Sequence, residues 1–402
     1  MKSYITAASD TVTSNTKSVW GLSTAHLVTD IYSPVLPAIM PLLIAQEGYT
    51  YFLAGLIITV YNLTSSFMQP VVGWAYDTRG IAVHVSISVL MSAVFISIIG
   101  VVTDYTLVLV CAGLAALGHA FFHPSALGTV SRLTQDASRG RITSYFVVGG
   151  NLGFAIGPIC AGVVVGFFGL PGLVFLAVPG IIMAVVLRTV LPPPPSRPPK
   201  VSALKTPAGG KASLRPVAVL VAASALRAWA IFASVAYLPT FLTTRGFDLV
   251  TANLLVSGML LAGVIGQVVG GTISDRYGRK EYTLVGLVAA IPLFYLFLAT
   301  DGILSLAVLM IFGFTLWSTF SVTVAMGHEL MPRSVGLISG LMLGLAVGAG
   351  GMGVAATGYI ADAFTLNVGL FTIPLPVIAA VLLFLAVPYP WKMLRRITRP
   401  AP

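Results

Sequence analysis

The chain has 402 residues, of which 57% are hydrophobic and only 8% charged, with a mean hydropathy of +0.97. A water-soluble domain carries about 25% charged residues, so this composition excludes an ordinary soluble globular fold and points to a protein built for a lipid bilayer. The formal net charge of +10 suggests a nucleic-acid partner only until the positions of the basic residues are considered.

The N-terminal stretch, residues 1–17, is polar. It lacks the short apolar core and small-residue cleavage site of a signal peptide, so the first apolar run is expected to act as its own insertion signal. Twelve apolar runs follow, at 18–46, 50–75, 82–102, 105–131, 141–167, 169–190, 216–243, 250–272, 281–300, 303–327, 334–361 and 366–389. Each is long enough to cross a hydrocarbon core, which takes about 20 residues of helix.

The first run carries His26 and Asp30, four residues apart and so on one helix face. The second contains Asn62-Leu63-Thr64, a glycosylation pattern discounted because it lies within a span, and ends in QPVVGWAYDTRG. The fourth contains GHAFFHPSALG, in which His119 and His123 repeat the four-residue spacing and Pro124 removes a backbone hydrogen bond beside the second imidazole. The fifth holds a stripe of small residues, Gly153, Gly157 and Gly162, with Pro158 beside it; small side chains let membrane helices approach closely. Cys111 and Cys160 both fall within spans and form neither a disulfide framework nor a zinc motif.

After the sixth run comes LPPPPSRPPKVSALKTPAGGK, a Pro- and Gly-rich stretch that reads as a linker. It divides the chain into an N-terminal bundle (1–190), a cytoplasmic basic linker (191–215) and a C-terminal bundle with its tail (216–402). The seventh run carries Arg227, with Trp229 and Tyr237 further along, and the eighth ends in QVVGGTISDRYGRK. Gln69, Gly73 and Asp77 recur there as Gln267, Gly271 and Asp275 at a constant offset, each set leaving the second span of its half, which is the mark of a duplicated transporter. The tenth run contains Trp317 and ends in His328 and Glu329, beside Pro332 and Arg333.

With the N-terminus placed in the cytoplasm, nearly all of the 22 Lys and Arg fall in cytoplasmic segments; Arg227 lies within a span and Arg245 alone faces out. That is the positive-inside pattern, so the basic balance sets orientation and no nucleic-acid partner is expected. Ionisable groups inside a membrane are costly, about 2.5–3.5 kcal/mol each on insertion scales, and mark function. Here they are His26, Asp30, His119, His123, Arg227, His328 and Glu329, confined to spans 1, 4, 7 and 10. Asp30 and Arg227 each lie about twelve residues into their spans, roughly 18 Å along the helix, which is mid-membrane. Arg227 needs an anion there, either Asp30 or the substrate. Several motifs fail: HELMP at His328 is not a metalloprotease motif, no phosphate-binding Gly-rich loop with Lys occurs, and no catalytic arrangement stands out. No enzyme activity, metal or cofactor is expected.

Gly271, Asp275, Arg276, Gly278, Arg279 and Lys280 resemble the signature loop of the major facilitator superfamily. The first copy keeps Gly73, Asp77, Arg79 and Gly80, whereas Ile81 and Ala82 replace the closing basic pair. The resemblance implies an all-α polytopic membrane protein of 12 transmembrane helices in two pseudo-symmetric six-helix bundles, with spans 1, 4, 7 and 10 lining a central cavity. STAHLVTDIYSPVLPAIMPLL, FFHPS with FVVGGNLGFAIGP, and ELMPRSVGLISGLMLGLAVGAGG further resemble the fosmidomycin-resistance efflux family. Where that family is expected to show His-Pro-Glu, this chain has Ser125 after Pro124. Gly153, Gly157 and Pro158 also resemble the antiporter motif of facilitator exporters, and Asp77 and Asp275 are expected to latch one conformation.

The expectation is therefore a multi-pass transporter of the plasma membrane, monomeric, with both termini cytoplasmic, exporting a small anionic or amphiphilic fosmidomycin-like compound. The driving force would be the proton gradient, since imidazole titrates near neutral pH. Three alternatives stay open: a proton-coupled importer of carboxylates or phosphonates; a transition-metal pathway through His26, Asp30, His119 and His123; and a non-transporting receptor or scaffold. Two pairs on different helices fix no coordination geometry by themselves.

Overall fold

The computed structural model describes residues 18–79, 83–133, 136–191, 215–332 and 335–392. All regular structure among them is helical, as expected where lipid offers no partner for an exposed backbone N–H or C=O. The first span joins α1 (residues 18–31) to α2 (Val35–Glu47) across a short turn. There follow α3 (Tyr51–Arg79), α4 (Val85–Ile98), α5 (Tyr105–Leu133), α6 (Asp136–Phe168) and α7 (Ala177–Val190), the last preceded by a 3₁₀ segment. Beyond the linker come α8 (Arg215–Thr244), α9 (Leu249–Tyr277), α10 (Arg279–Ala299) and α11 (Gly302–Leu330). The eleventh span runs from α12 (Val335–Ser339) through a π-helical turn into α13 (Ala346–Ala363), and the last comprises α14 (Leu366–Phe371) and α15 (Pro374–Ala386).

Eleven of the spans are long and apolar enough to cross a membrane, and the remaining run forms a shorter apolar helix at Val85–Val101. All twelve apolar runs are thus helical. Large apolar side chains such as Phe167, Val285, Ile303 and Phe364 stand exposed on the outside, which is unremarkable where the surrounding solvent is as apolar as leucine. Of the linker, residues 192–214 lie outside the described residues, as do Gly80, Ile81, Ala82, Arg333 and the tail arginines from Arg395 onward. The side chains of Asp77, Arg132, Arg139 and Arg141 also lie outside what is described.

Close contacts gather the chain into two compact units, one of residues 1–36 with 68–207, the other of 37–67 with 208–402. In unit 1, α4 packs on α5 and α7. Gly118 makes that approach possible, since a Cβ there would meet the Ser92 backbone nitrogen at 2.7 Å. The glycines of α6 do the same against α1: a Cβ at Gly149 would lie 2.5 Å from the Ser23 carbonyl, and Gly153 and Gly157 face the carbonyls of Leu27 and Ile31. A side chain at any of them would force the two backbones apart.

Unit 2 pairs α9 with α11, α8 with α13 and α15, and α10 with α11. Segment 37–67 is tied into it through the backbone: the Asn253 amide donates to Ala38 O (3.1 Å), the Thr59 hydroxyl to Gly351 O (3.0 Å), and Tyr237 shares its hydroxyl between Tyr51 O and Val354 O, both at 3.0 Å. Asp362 accepts from the Tyr51 and Phe52 backbone N–H groups at 2.8 Å each, and so caps the start of α3. Asp248 caps α9 by accepting from Thr251 N at 3.0 Å.

Candidate functional site

The sequence supplies two pairs of ionisable groups, and unit 1 brings them to a single carboxylate. On α1, His26 Nε2 lies 3.2 Å from Asp30 Oδ2. On α5, His119 and His123 face each other with Nε2 to Nε2 at 2.9 Å. From there His119 Nδ1 and His123 Nε2 each lie 3.9 Å from Asp30 Oδ1. The four-residue spacing on each helix sets one edge of this cluster, and the approach of α5 to α1 sets the other.

The orientation of His26 is fixed from α6. Its Nδ1 lies 2.7 Å from the Phe146 carbonyl oxygen. A carbonyl only accepts, so Nδ1 carries a proton and donates. In the neutral ring Nε2 then has a lone pair, and it points at a carboxylate oxygen. Two acceptors do not sit 3.2 Å apart with nothing between them, so this contact holds a proton, on the imidazole or on the carboxyl, or a metal cation in its place. The Phe146 ring stacks on His26 with centroids 4.1 Å apart, and Phe122 lies against it at 5.5 Å. Gly150 completes the wall: a Cβ there would overlap both the His26 ring and Asp30. Phe146 and Gly150 were not singled out by sequence. Phe146 acts through its backbone and carries no side-chain signal, whereas Gly150 lies beside the glycine stripe that was legible.

Arg227, on α8 in unit 2, is 1% exposed. It donates from NH1 to Thr319 Oγ1 at 3.4 Å, and its guanidinium lies 5.1 Å from the Phe320 ring centroid. Its Nε has no hydrogen-bond partner, and no described carboxylate of unit 2 is within ion-pair reach. Nearby, Trp229 donates to Thr357 at 3.0 Å, and Gly350 and Gly353 of α13 admit Ala228 and Trp229. A glycine-rich helix thus presses on the helix bearing the buried charge in both units.

The remaining predicted residues lie elsewhere. His328 contacts Ser339 at 3.0 Å, and Glu329 accepts from Arg279 Nε at 2.6 Å. Arg279 also reaches Asp275 at 2.9 Å, so the motif's carboxylate pairs with its own arginine across the junction of α9 and α10. Gly278 takes φ +117°, a backbone conformation that favours glycine, at the junction of α9 and α10. Lys280, placed in the signature loop by resemblance, lies buried at the start of α10; its ammonium donates to Leu385 O at 2.9 Å and Val387 O at 2.7 Å. Its long stem carries the charge to carbonyls at the C-terminal end of α15, where a cation is favoured. Tyr389 donates to Glu329, and burial, followed by that bond, pushes its phenol pKa up. In the first copy, Arg79 stacks over Trp74 at 4.8 Å and Gly73 has open space around its Cα. Pro158 lies inside α6.

Comparison with known proteins identifies the architecture. The family model described as Major Facilitator Superfamily matches residues 22–354. The chain is 29% identical to the fosmidomycin resistance protein of Escherichia coli (strain K12), over 92% of this chain and 95% of that one. It is 30% identical to YfnC, an uncharacterized MFS-type transporter of Bacillus subtilis (strain 168), over 90% of each. A cis,cis-muconate transport protein of Acinetobacter baylyi is 22% identical over 74% of this chain and 76% of its own length. Among solved structures, a bacterial homolog of the human lysosomal transporter Spinster superposes with a TM-score of 0.80 at 15% identity, covering 92% of this chain and 96% of that one. A point mutant of the nucleoside transporter NupG superposes at 0.75 with 15% identity, covering 92% of this chain and 99% of that one. The chain belongs to the major facilitator superfamily and is a multi-pass membrane transporter, not an enzyme.

Proposed function

We propose that the protein exports a small anionic or amphiphilic compound across the plasma membrane in exchange for protons, by alternating access. The observation that carries this reading is Arg227: a buried guanidinium whose Nε–H has no hydrogen-bond partner, with no carboxylate among the described residues of its own unit in reach. An uncompensated charge of that kind is strongly unfavourable inside a membrane. A carboxylate, phosphonate or phosphate of the substrate would neutralise it and fill the open donor, with Phe320 offering an apolar face to the carbon skeleton. The relatives agree in kind, one being named for resistance to fosmidomycin and another for muconate transport.

The proton side of the exchange is assigned to His26 and Asp30. Their facing acceptor atoms need one shared proton, and giving it up would leave a bare carboxylate against a lone pair. The proton gradient would therefore enter through unit 1 and the substrate anion would be held from unit 2. In this reading both termini face the cytoplasm, and the linker 191–215 joins halves 1–190 and 216–402 of a monomer.

The test is substrate counterflow in liposomes with fosmidomycin and a panel of phosphonates and carboxylates, comparing the wild type with Arg227→Gln. Saturable exchange of an anion that Arg227→Gln loses supports the reading. Exchange that favours neutral or cationic compounds, or is indifferent to Arg227, removes its basis.

A further inference from the structure

We propose that His26, Asp30 and His123, with His119 as a fourth donor, form a binding site for a divalent transition-metal ion of the zinc type. This goes beyond the transport reading, although it uses the same cluster in unit 1.

The donor atoms are already gathered. His26 Nε2, an Asp30 carboxylate oxygen and a His123 ring nitrogen lie within 4.8 Å of one another. Around a tetrahedral zinc ion with bonds of about 2.0–2.2 Å, donors sit roughly 3.3 Å apart. The His26–Asp30 separation of 3.2 Å fits as it stands. The 3.9 Å separations from Asp30 Oδ1 to His123 Nε2 and His119 Nδ1 are too long for hydrogen bonds and close by about half an ångström of side-chain rotation. Imidazole and carboxylate together suit zinc and its neighbours in the first row.

Three further features suit an ion. First, His26 donates Nδ1–H to the Phe146 carbonyl, the outer contact that metal-bound histidines almost always make, and it leaves Nε2 as the ligand atom. Second, His26 Nε2 and Asp30 Oδ2 both point lone pairs at the space between them, so a metal ion can take the place of the proton they otherwise share. Third, the Asp30 and His123 side chains keep 14% and 20% exposure, enough for a small ion to enter. Binding requires His123 Nε2 to release its contact with His119 Nε2. His119 then offers Nδ1, 3.9 Å from Asp30 Oδ1, as the fourth donor. With neutral imidazoles the site carries one negative charge, and a divalent ion leaves it with one positive charge.

The probe is zinc chloride alone, titrated by calorimetry into chelator-treated protein purified in detergent without a polyhistidine tag. The expected result is one zinc per chain with micromolar or tighter affinity. Asp30→Asn and His123→Gln should each weaken binding at least about tenfold, and His328→Gln should leave it unchanged. Variants are compared only where size exclusion and melting show them folded. X-ray absorption of the zinc-loaded wild type needs no variant and should show a four-coordinate shell dominated by imidazole nitrogen. Absence of saturable zinc uptake, binding undiminished by Asp30→Asn, or a shell without imidazole would each overturn the proposal. Anion–proton exchange is measured separately in chelator: exchange that persists there, together with no saturable zinc uptake in the titration, overturns the metal site and leaves the transport reading standing.

Discussion

The cluster in unit 1 turns on one tautomer. Because the Phe146 carbonyl accepts the Nδ1 proton of His26, the opposite nitrogen and Asp30 share a proton or another cation, and the proposed coupling rests on its release. His26→Gln and Asp30→Asn are therefore expected to keep substrate counterflow while losing uphill transport driven by a pH gradient; a variant that still concentrates substrate would exclude the pair from coupling. Arg227→Gln removes charge-assisted hydrogen bonds worth about 1.5–3 kcal/mol, so the apparent substrate affinity should fall roughly ten- to hundredfold, as measured by the KM for exchange. The His26–Asp30 and His119–His123 pairs and the buried Arg227 were legible in the sequence, because four-residue spacing is a property of a single helix. Their convergence on Asp30 was not, because it depends on the distance between α1 and α5, which no local pattern encodes. Lys280 shows the converse: its charge reads as a loop residue, yet its aliphatic stem is buried and its ammonium caps a helix end.

At the level of elements, close helix approach does the positioning. The glycines of α6 bring it onto α1, and Gly350 and Gly353 bring α13 onto α8. Sequence marked the α6 stripe as small-residue packing and missed Gly150, whose role is seen only when His26 and Asp30 are found behind it. Gly150→Ala must push α6 or the His26 ring aside, and overpacking of this kind costs typically 1–3 kcal/mol. A lowered melting temperature in detergent, together with impaired proton coupling, is expected; an unchanged melt would show that the ring moves freely. Loss of a helix cap is a milder change. Asp362→Ala removes the acceptor for two N–H groups at the start of α3 and should cost about 1 kcal/mol, seen as a small drop in melting temperature with substrate affinity retained.

For the whole molecule, the fold was the most legible property. Lipid leaves the backbone few choices, so composition and run length alone yield twelve helical spans, eleven of full length and one shorter. The duplicated loop marks two halves in sequence, while contacts gather 37–67 with the second half of the chain; a repeat records ancestry, and packing is set by which helix ends meet. Direction and driving ion belong to the complete transporter in a sealed membrane. The decisive measurement uses purified protein in liposomes holding a pH-sensitive dye, with an imposed proton gradient and fosmidomycin or a related small anion added on one side. The account predicts that substrate addition dissipates the gradient, protons moving opposite to the anion, and that Asp30→Asn abolishes the signal. Protons moving in the same direction as the anion, or anion flux with no proton movement, would contradict it.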